Sequence, residues 1–187
     1  MGITENEIAD KSAILAHFND RSELTHLTQH ETMSILKKNF RNYWNDYWKI
    51  TSDITGKGLF LKLIRDNIDG NGPIPKSKSR KSETVFQQMR IGHVPLNFYL
   101  ERFKLITNNQ CQHCGLPETI QHYFLQCNNY QIQRDTMKVE LLQMNINDID
   151  LKTLLAGNER YKSKRNDIMK ITMKYIKDTK RFDHPQV

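Results

Sequence analysis

The chain has 187 residues, a net charge of +7 and a pI near 9.3, with 37% hydrophobic and 26% charged residues. That length suits one domain with appendages, and the composition excludes a disordered tail. No apolar run approaches the roughly 18 residues of a membrane span, and the start MGITENEIADKSA lacks the basic-then-apolar order of a secretory signal, so an intracellular location, nuclear or cytoplasmic and with no membrane partner, is expected.

In chain order, the spacing of Ile8, Ala9, Ser12, Ala13, Leu15 and Ala16 predicts a helix over 3–18, stopped by Asn19 and Asp20. A longer helix is predicted from about Glu31 to Ile50. Its stripe of Leu36, Phe40, Tyr43, Trp44, Tyr47 and Trp48 reads as core, with base stacking as the sharper alternative. Gly56-Lys57-Gly58 is a turn, and it lacks the flanking elements of a phosphate loop. The run 59–68 reads either as a short helix or as an extended segment. Residues 69–82 form a loop rich in Gly, Pro, Ser and basic residues. Ser82 then caps a helix with Glu83 in its first turn, sending Val85, Phe86 and Met89 inward until Gly92 breaks it. Pro95 opens another helix, with Leu96, Tyr99, Leu100 and Phe103 on one face. Further helices are predicted over Ile132–Met144, Leu151–Leu155 (stopped by Gly157) and Tyr161–Lys180. No run alternates as a strand does, and there is no repeat. The fold class is all-α: an irregular helical domain with a small metal-bound CCHC hairpin-helix.

Charge is uneven. Between Arg160 and Arg181 nine Lys/Arg face two Asp, a surplus equal to the net charge of the whole chain. Lys170, Lys174 and Lys177 share one helix face at i, i+4 and i+7, and Lys76, Lys78, Arg80 and Lys81 form a second island. Such bias suits a polyanion, so nucleic acid, RNA or DNA, is the expected partner; solvated surface is the alternative.

The three cysteines all lie in CQHCGLPETIQHYFLQC. An odd, tightly clustered set in a reducing compartment argues for a metal rather than a disulfide framework. Cys111 and Cys114 are spaced to meet one ion from a single turn, and His122 and Cys127 complete four ligands. Sulfur and imidazole donors select zinc; four of them close the site, which makes it structural. Three thiolates and a neutral imidazole give it a net charge of minus one. Gly115 suits a positive φ behind Cys114, and Pro117 and Thr119 start a short helix carrying His122. Five residues of α-helix turn through about 140° beyond a full circle, so His122 and Cys127 would diverge. The helix is therefore expected to loosen at Asn128-Asn129. His113 competes for the histidine role from poor geometry, and His122 is preferred.

The runs RIGHVPLNFYLERF and CQHCGLPETIQHYFLQCNNY together resemble the region after the ribonuclease H domain in polyproteins of non-LTR retrotransposons, a reverse-transcriptase zinc-binding region. The matching residues are Arg90, Gly92, His93, Pro95, Leu96, Asn97 and Leu100, then Cys111, Cys114, Glu118, Thr119, His122, Cys127 and Tyr130; Ile91 departs from the pattern. The match covers about 40 residues, with a looser one at the Trp44–Trp48 helix and Gly56-Lys57-Gly58. The start TENEIADKSA resembles the last helix of a type 1 ribonuclease H, through Asn6, Glu7, Ala9 and Asp10. The resemblance makes Asp10 the last of four carboxylates that hold two magnesium ions. The sheet bearing the others should lie upstream, so Asp10 is expected to be a relic and the chain not to be an enzyme.

The expected organisation is a ribonuclease H remnant over 1–20, a helical linker with the basic loop over 21–82, and a helical zinc-binding region over 83–187. The expected function is a zinc-stabilised nucleic-acid-binding module, a truncated copy that partners nucleic acid or other parts of a retrotransposon polyprotein. The rivals are a docking module and a fragment of an active ribonuclease H.

Overall fold

The computed structural model describes residues 10–11, 27–65, 77 and 79–183. The expected helix over 3–18 lies outside the described residues except at Asp10 and Lys11, which are helical and exposed. Lys76 and Lys78 also lie outside them. The described residues are mostly helical and include no strand; one isolated antiparallel bridge joins Gln110 to Pro117. No described helix is long and apolar enough to cross a membrane. Contacts divide the chain into two compact units, Met1–Phe40 and Arg41–Val187, with the boundary inside the first helix.

That helix, α1, runs from Gln29 to Thr55. It opens on a reciprocal cap: the Thr28 amide and hydroxyl donate to Glu31 Oε2 at 2.9 and 2.8 Å, and the Glu31 amide donates to Thr28 Oγ1 at 3.3 Å. Its aromatic stripe is not core. Phe40, Tyr43, Trp44 and Tyr47 are exposed, while Trp48 is half-buried and Ser52 buried. The reason is the choice of face. The Trp48 indole lies against Gly58, and Lys62 on the next helix pairs with Asp53 at 2.5 Å, so α1 seats its Trp48–Ser52 edge and leaves the broader stripe outside.

The run 59–68 resolves in part: α2 is a helix over Leu59–Ile64, and Arg65 is extended. The next helix, α3, spans Arg80–Ile91, and its cap is Ser79, not Ser82. Ser79 Oγ accepts from the Ser82 amide at 3.3 Å, while the Ser82 side chain is buried and bonds Ser79 Oγ at 3.2 Å. Both positions are serine, and the one preceding the first helical turn takes the cap. Val85, Phe86 and Met89 point inward as expected, and Gly92 closes the helix. The helix after Pro95, α4, is short, Asn97–Arg102. It ends before Phe103, which is exposed instead of completing the apolar face, because Lys104 adopts φ 59 and turns the chain.

Then come α5 (Gln131–Gln143), α6 (Leu151–Leu154), a 3-10 turn over Glu159–Lys164 and α7 (Arg165–Asp178). The predicted helix over Tyr161–Lys180 is thus broken by non-helical Tyr161, where φ is −109°. Helix α7 is the hub, packed on α3 and α5 and touching α6. Ile168, Met169, Met173 and Ile176 bury one side of it, and Thr172 Oγ1 donates to the Leu154 carbonyl at 3.0 Å. Gly157 sits so close to α2 that a Cβ there would stand 1.8 Å from the Ile64 carbonyl oxygen. Glycine is required at 157 by that approach of two backbones, beyond its place at a helix end.

Candidate metal centre

The chain between α4 and α5 builds the site. The Cys111 amide donates to the Leu116 carbonyl at 2.7 Å and the Glu118 amide to the Asn109 carbonyl at 2.8 Å, so the arms around Cys111–Cys114 pair. Gly115 takes φ +69° at the turn, and its amide donates back to the Cys111 carbonyl at 2.9 Å. Thr119 caps the next turn, its Oγ1 accepting from the His122 amide at 3.0 Å.

The divergence of His122 and Cys127 is solved by changing the helix between the two ligands, ahead of the expected loosening at Asn128-Asn129. Residues His122–Gln126 form a π-helical turn, closed by the Cys127 amide donating to the His122 carbonyl at 2.8 Å. A π-turn takes more residues per turn, which brings positions five apart back toward one side. Cys127 is then extended, and Asn128–Tyr130 form a 3-10 turn.

The result is one group: the donor atoms of Cys111, Cys114, His122 and Cys127 all lie within 4.8 Å of one another. The Cys127 sulfur is 3.8 Å from that of Cys111 and 3.6 Å from that of Cys114. A tetrahedron with metal–sulfur bonds of about 2.3 Å has sulfur–sulfur edges of about 3.8 Å, so the thiols already stand at coordination distance. Cys111, His122 and Cys127 are buried and Cys114 is half-buried. Neither nitrogen of the buried His122 ring makes a hydrogen bond of normal geometry, although the Gln126 side chain lies close enough to favour its charged form. An unsatisfied buried polar group costs about 1–3 kcal/mol, which a metal–nitrogen bond would relieve. His113 is exposed and outside the group.

The electrostatics suit a cation. Burial holds His122 below its ordinary 6.5, the neutral form a metal needs. Burial pushes the Cys127 thiol up to about 12, whereas the Asn128 amide pointing at Cys114 lowers that thiol first of all. The Asn129 amide also points at both sulfurs. Without a metal one thiol therefore holds its proton firmly, and a bound cation would displace it.

The site is fixed to the core by its neighbours. Tyr123, beside His122, has its hydroxyl 2.6 Å from Thr179 Oγ1, accepts from the Tyr175 hydroxyl at its carbonyl at 2.8 Å, and packs edge-on against Tyr130, Tyr175 and Phe182. Glu118 accepts from Arg181 through both carboxylate oxygens and from the Asn97 amide, tying the ligand loop to α4 and to the chain after α7. Arg134 donates to the Cys127 carbonyl. Sequence reasoning missed Arg134, although the signal was present: it interrupts the stripe Tyr130, Met137, Leu141 that α5 turns to the core.

The basic residues are dispersed. Lys170 pairs with Asp167 at 3.1 Å, Lys174 pairs with Glu140, and Arg160 pairs with Asp148 at 2.6 Å. Arg165 pairs with Glu159 at 2.8 Å, and Arg181 is committed to Glu118. What remains is a cleft of about 480 Å³ between α3 and the end of α7, where Lys81 from the first island meets Lys177 and Lys180 from the second. Asp178 and Asp183 share the cleft, the latter 3.9 Å from Lys81; Arg80 is exposed beside it. Among the described residues no acidic cluster forms around Asp10.

No protein-family profile, no curated protein and no solved structure matches this chain significantly.

Proposed function

We propose that this chain is a zinc-stapled helical module that contacts nucleic acid, of the kind that follows the ribonuclease H domain in non-LTR retrotransposon polyproteins. The observation that carries it is the Cys111–Cys114–His122–Cys127 group, with thiols at tetrahedral distance and a buried imidazole beside them whose nitrogens make no hydrogen bond of normal geometry. Zinc is the ion because thiolate and imidazole donors in a closed, four-ligand set favour it over hard or open-site metals. The ligand-bearing segment is then a CCHC hairpin-helix whose role is structural.

Nucleic-acid contact is supported by Lys81, Lys177 and Lys180 converging on one cleft, with Arg80 beside it. The experiment is binding of the zinc-loaded chain to single-stranded RNA and DNA across roughly 50 to 200 mM salt. Sequence-independent binding with a steep salt slope supports the reading. A zinc-loaded, folded chain that binds no oligonucleotide at the lowest salt refutes it.

A second reading rests on a different observation, the exposed Tyr43, Trp44, Tyr47, Ile50 and Ile54 of α1. A stripe of that size suits docking onto another protein surface, such as another part of the parent polyprotein. Failure of oligonucleotide binding, with loss of partner association on Tyr47→Ser, selects it.

A further inference from the structure

Among the described residues, Arg134 is a buried cation without an anionic partner. It sits one turn into α5, only 2% exposed. Its Nη2 donates to the Cys127 carbonyl, its Nε has no acceptor, and among the described residues no carboxylate pairs with it. The acceptor it does reach, the Cys127 carbonyl, belongs to a residue of the candidate ligand set. A guanidinium removed from water and left without a counter-charge is strongly disfavoured.

The metal centre supplies the missing charge. Three thiolates and one imidazole around a divalent cation would carry a net charge of minus one, spread over the four ligands, and the Arg134 guanidinium is held at the main-chain carbonyl of one of them, Cys127. We propose that Arg134 is the built-in counter-cation of a tris-thiolate metal centre, making the pair neutral in the core and holding the last ligand by its carbonyl. This rests on the metal reading above and deepens it: the site is matched to a set with one excess negative charge. Arg134 is a positioning residue, since it touches a ligand's backbone and not the metal.

The same logic inverts the expected effect of removing it. With zinc bound, loss of the cation leaves an uncompensated anion in the core. Without zinc and with protonated thiols, loss of the cation removes an uncompensated positive charge. A side chain that only filled space would weaken both states alike.

The test uses the full chain with Arg134→Met, which keeps the length and drops the charge, and Arg134→Lys, which keeps the charge. Zinc affinity is read by chelator competition, and urea unfolding is followed with zinc and with excess chelator. The expected result is a zinc affinity lowered roughly 10–100-fold in Arg134→Met, in the range of supporting-residue losses, and a smaller loss in Arg134→Lys. The metal-free midpoint of Arg134→Met should equal or exceed that of the wild type. Unchanged zinc affinity in a folded Arg134→Met, equal losses in the two variants, or an equal fall in stability with and without zinc each overturn the inference. A wild-type chain that binds no zinc overturns the metal reading itself, an outcome read in the wild-type arm alone.

Discussion

Arg181 grips Glu118 across 63 positions of sequence, Nε donating to Oε1 at 2.7 Å and Nη2 to Oε2 at 2.6 Å. Both side chains are almost wholly buried, at 10% and 4% exposure. Glu118 also accepts the Asn97 amide at 2.8 Å, so one carboxylate joins three segments. Removing a single partner strands a buried charge, which costs about 3–5 kcal/mol. Arg181→Met and Glu118→Gln should each lower stability by that order in urea unfolding of the zinc-loaded chain. The double variant should cost less than the sum, because the second change removes the stranded charge. Additive losses would show that the two do not act as a pair.

Gly157→Ala should be among the most damaging single-methyl changes in the chain. The new Cβ would collide with the Ile64 carbonyl, which is backbone and cannot swing aside. Overpacking of this kind costs about 1–3 kcal/mol, and circular dichroism melts should show it while zinc content stays unchanged. A neutral Gly157→Ala would mean that α2 does not approach the α6 terminus as described.

The grouping of Cys111, Cys114, His122 and Cys127 and the helical class were legible in the sequence because both depend on local spacing. Cys111 and Cys114 need only one turn between them, and Val85, Phe86 and Met89 repeat at helical intervals wherever the core lies. What failed was anything set by a tertiary choice. The α1 periodicity marks an apolar face but not whether anything covers it, and packing seats the Trp48 edge instead. The surplus of charge after Arg160 suggested a basic face, yet carboxylates distant in sequence, Asp148, Glu140 and Glu118, neutralise much of it. Only folding brings Lys81 beside Lys177. The π-turn at His122 is the middle case: the five-residue gap demanded a departure from α-helix, without saying which.

Those pairings change the expected mutational pattern on the basic surface. Lys81→Gln with Lys177→Gln should weaken binding to RNA and DNA alike and flatten the salt slope by roughly one to two phosphate contacts. Lys170→Gln with Lys174→Gln should do less, since Asp167 and Glu140 already engage those ammonium groups. Filter binding of both double variants over a salt series checks the ranking, and equal effects would place the contact along the whole α7 face.

Acid should destabilise the metal-free chain through His122. Its pKa is lowered in the fold, chiefly by burial, from an ordinary 6.5. The unfolded chain therefore takes up the proton first. Stability is full above about pH 6.5 and declines as pH falls from there toward the lowered folded value. Urea unfolding with chelator present, at pH 7.5 and then stepwise to about 5, should show the decline, and His122→Gln should flatten it. A decline unchanged in His122→Gln would assign it to another group.

The most direct test of the account is the zinc content of the purified chain by elemental analysis. One zinc per chain is expected, retained by His113→Ala and lost in Cys114→Ser and in His122→Ala. Stripping it should expose the amides of residues 105–130 to hydrogen exchange, since structural zinc is worth roughly 10–16 kcal/mol in small fingers. A folded wild-type chain with no zinc, and with all three thiols freely reactive, would contradict the account.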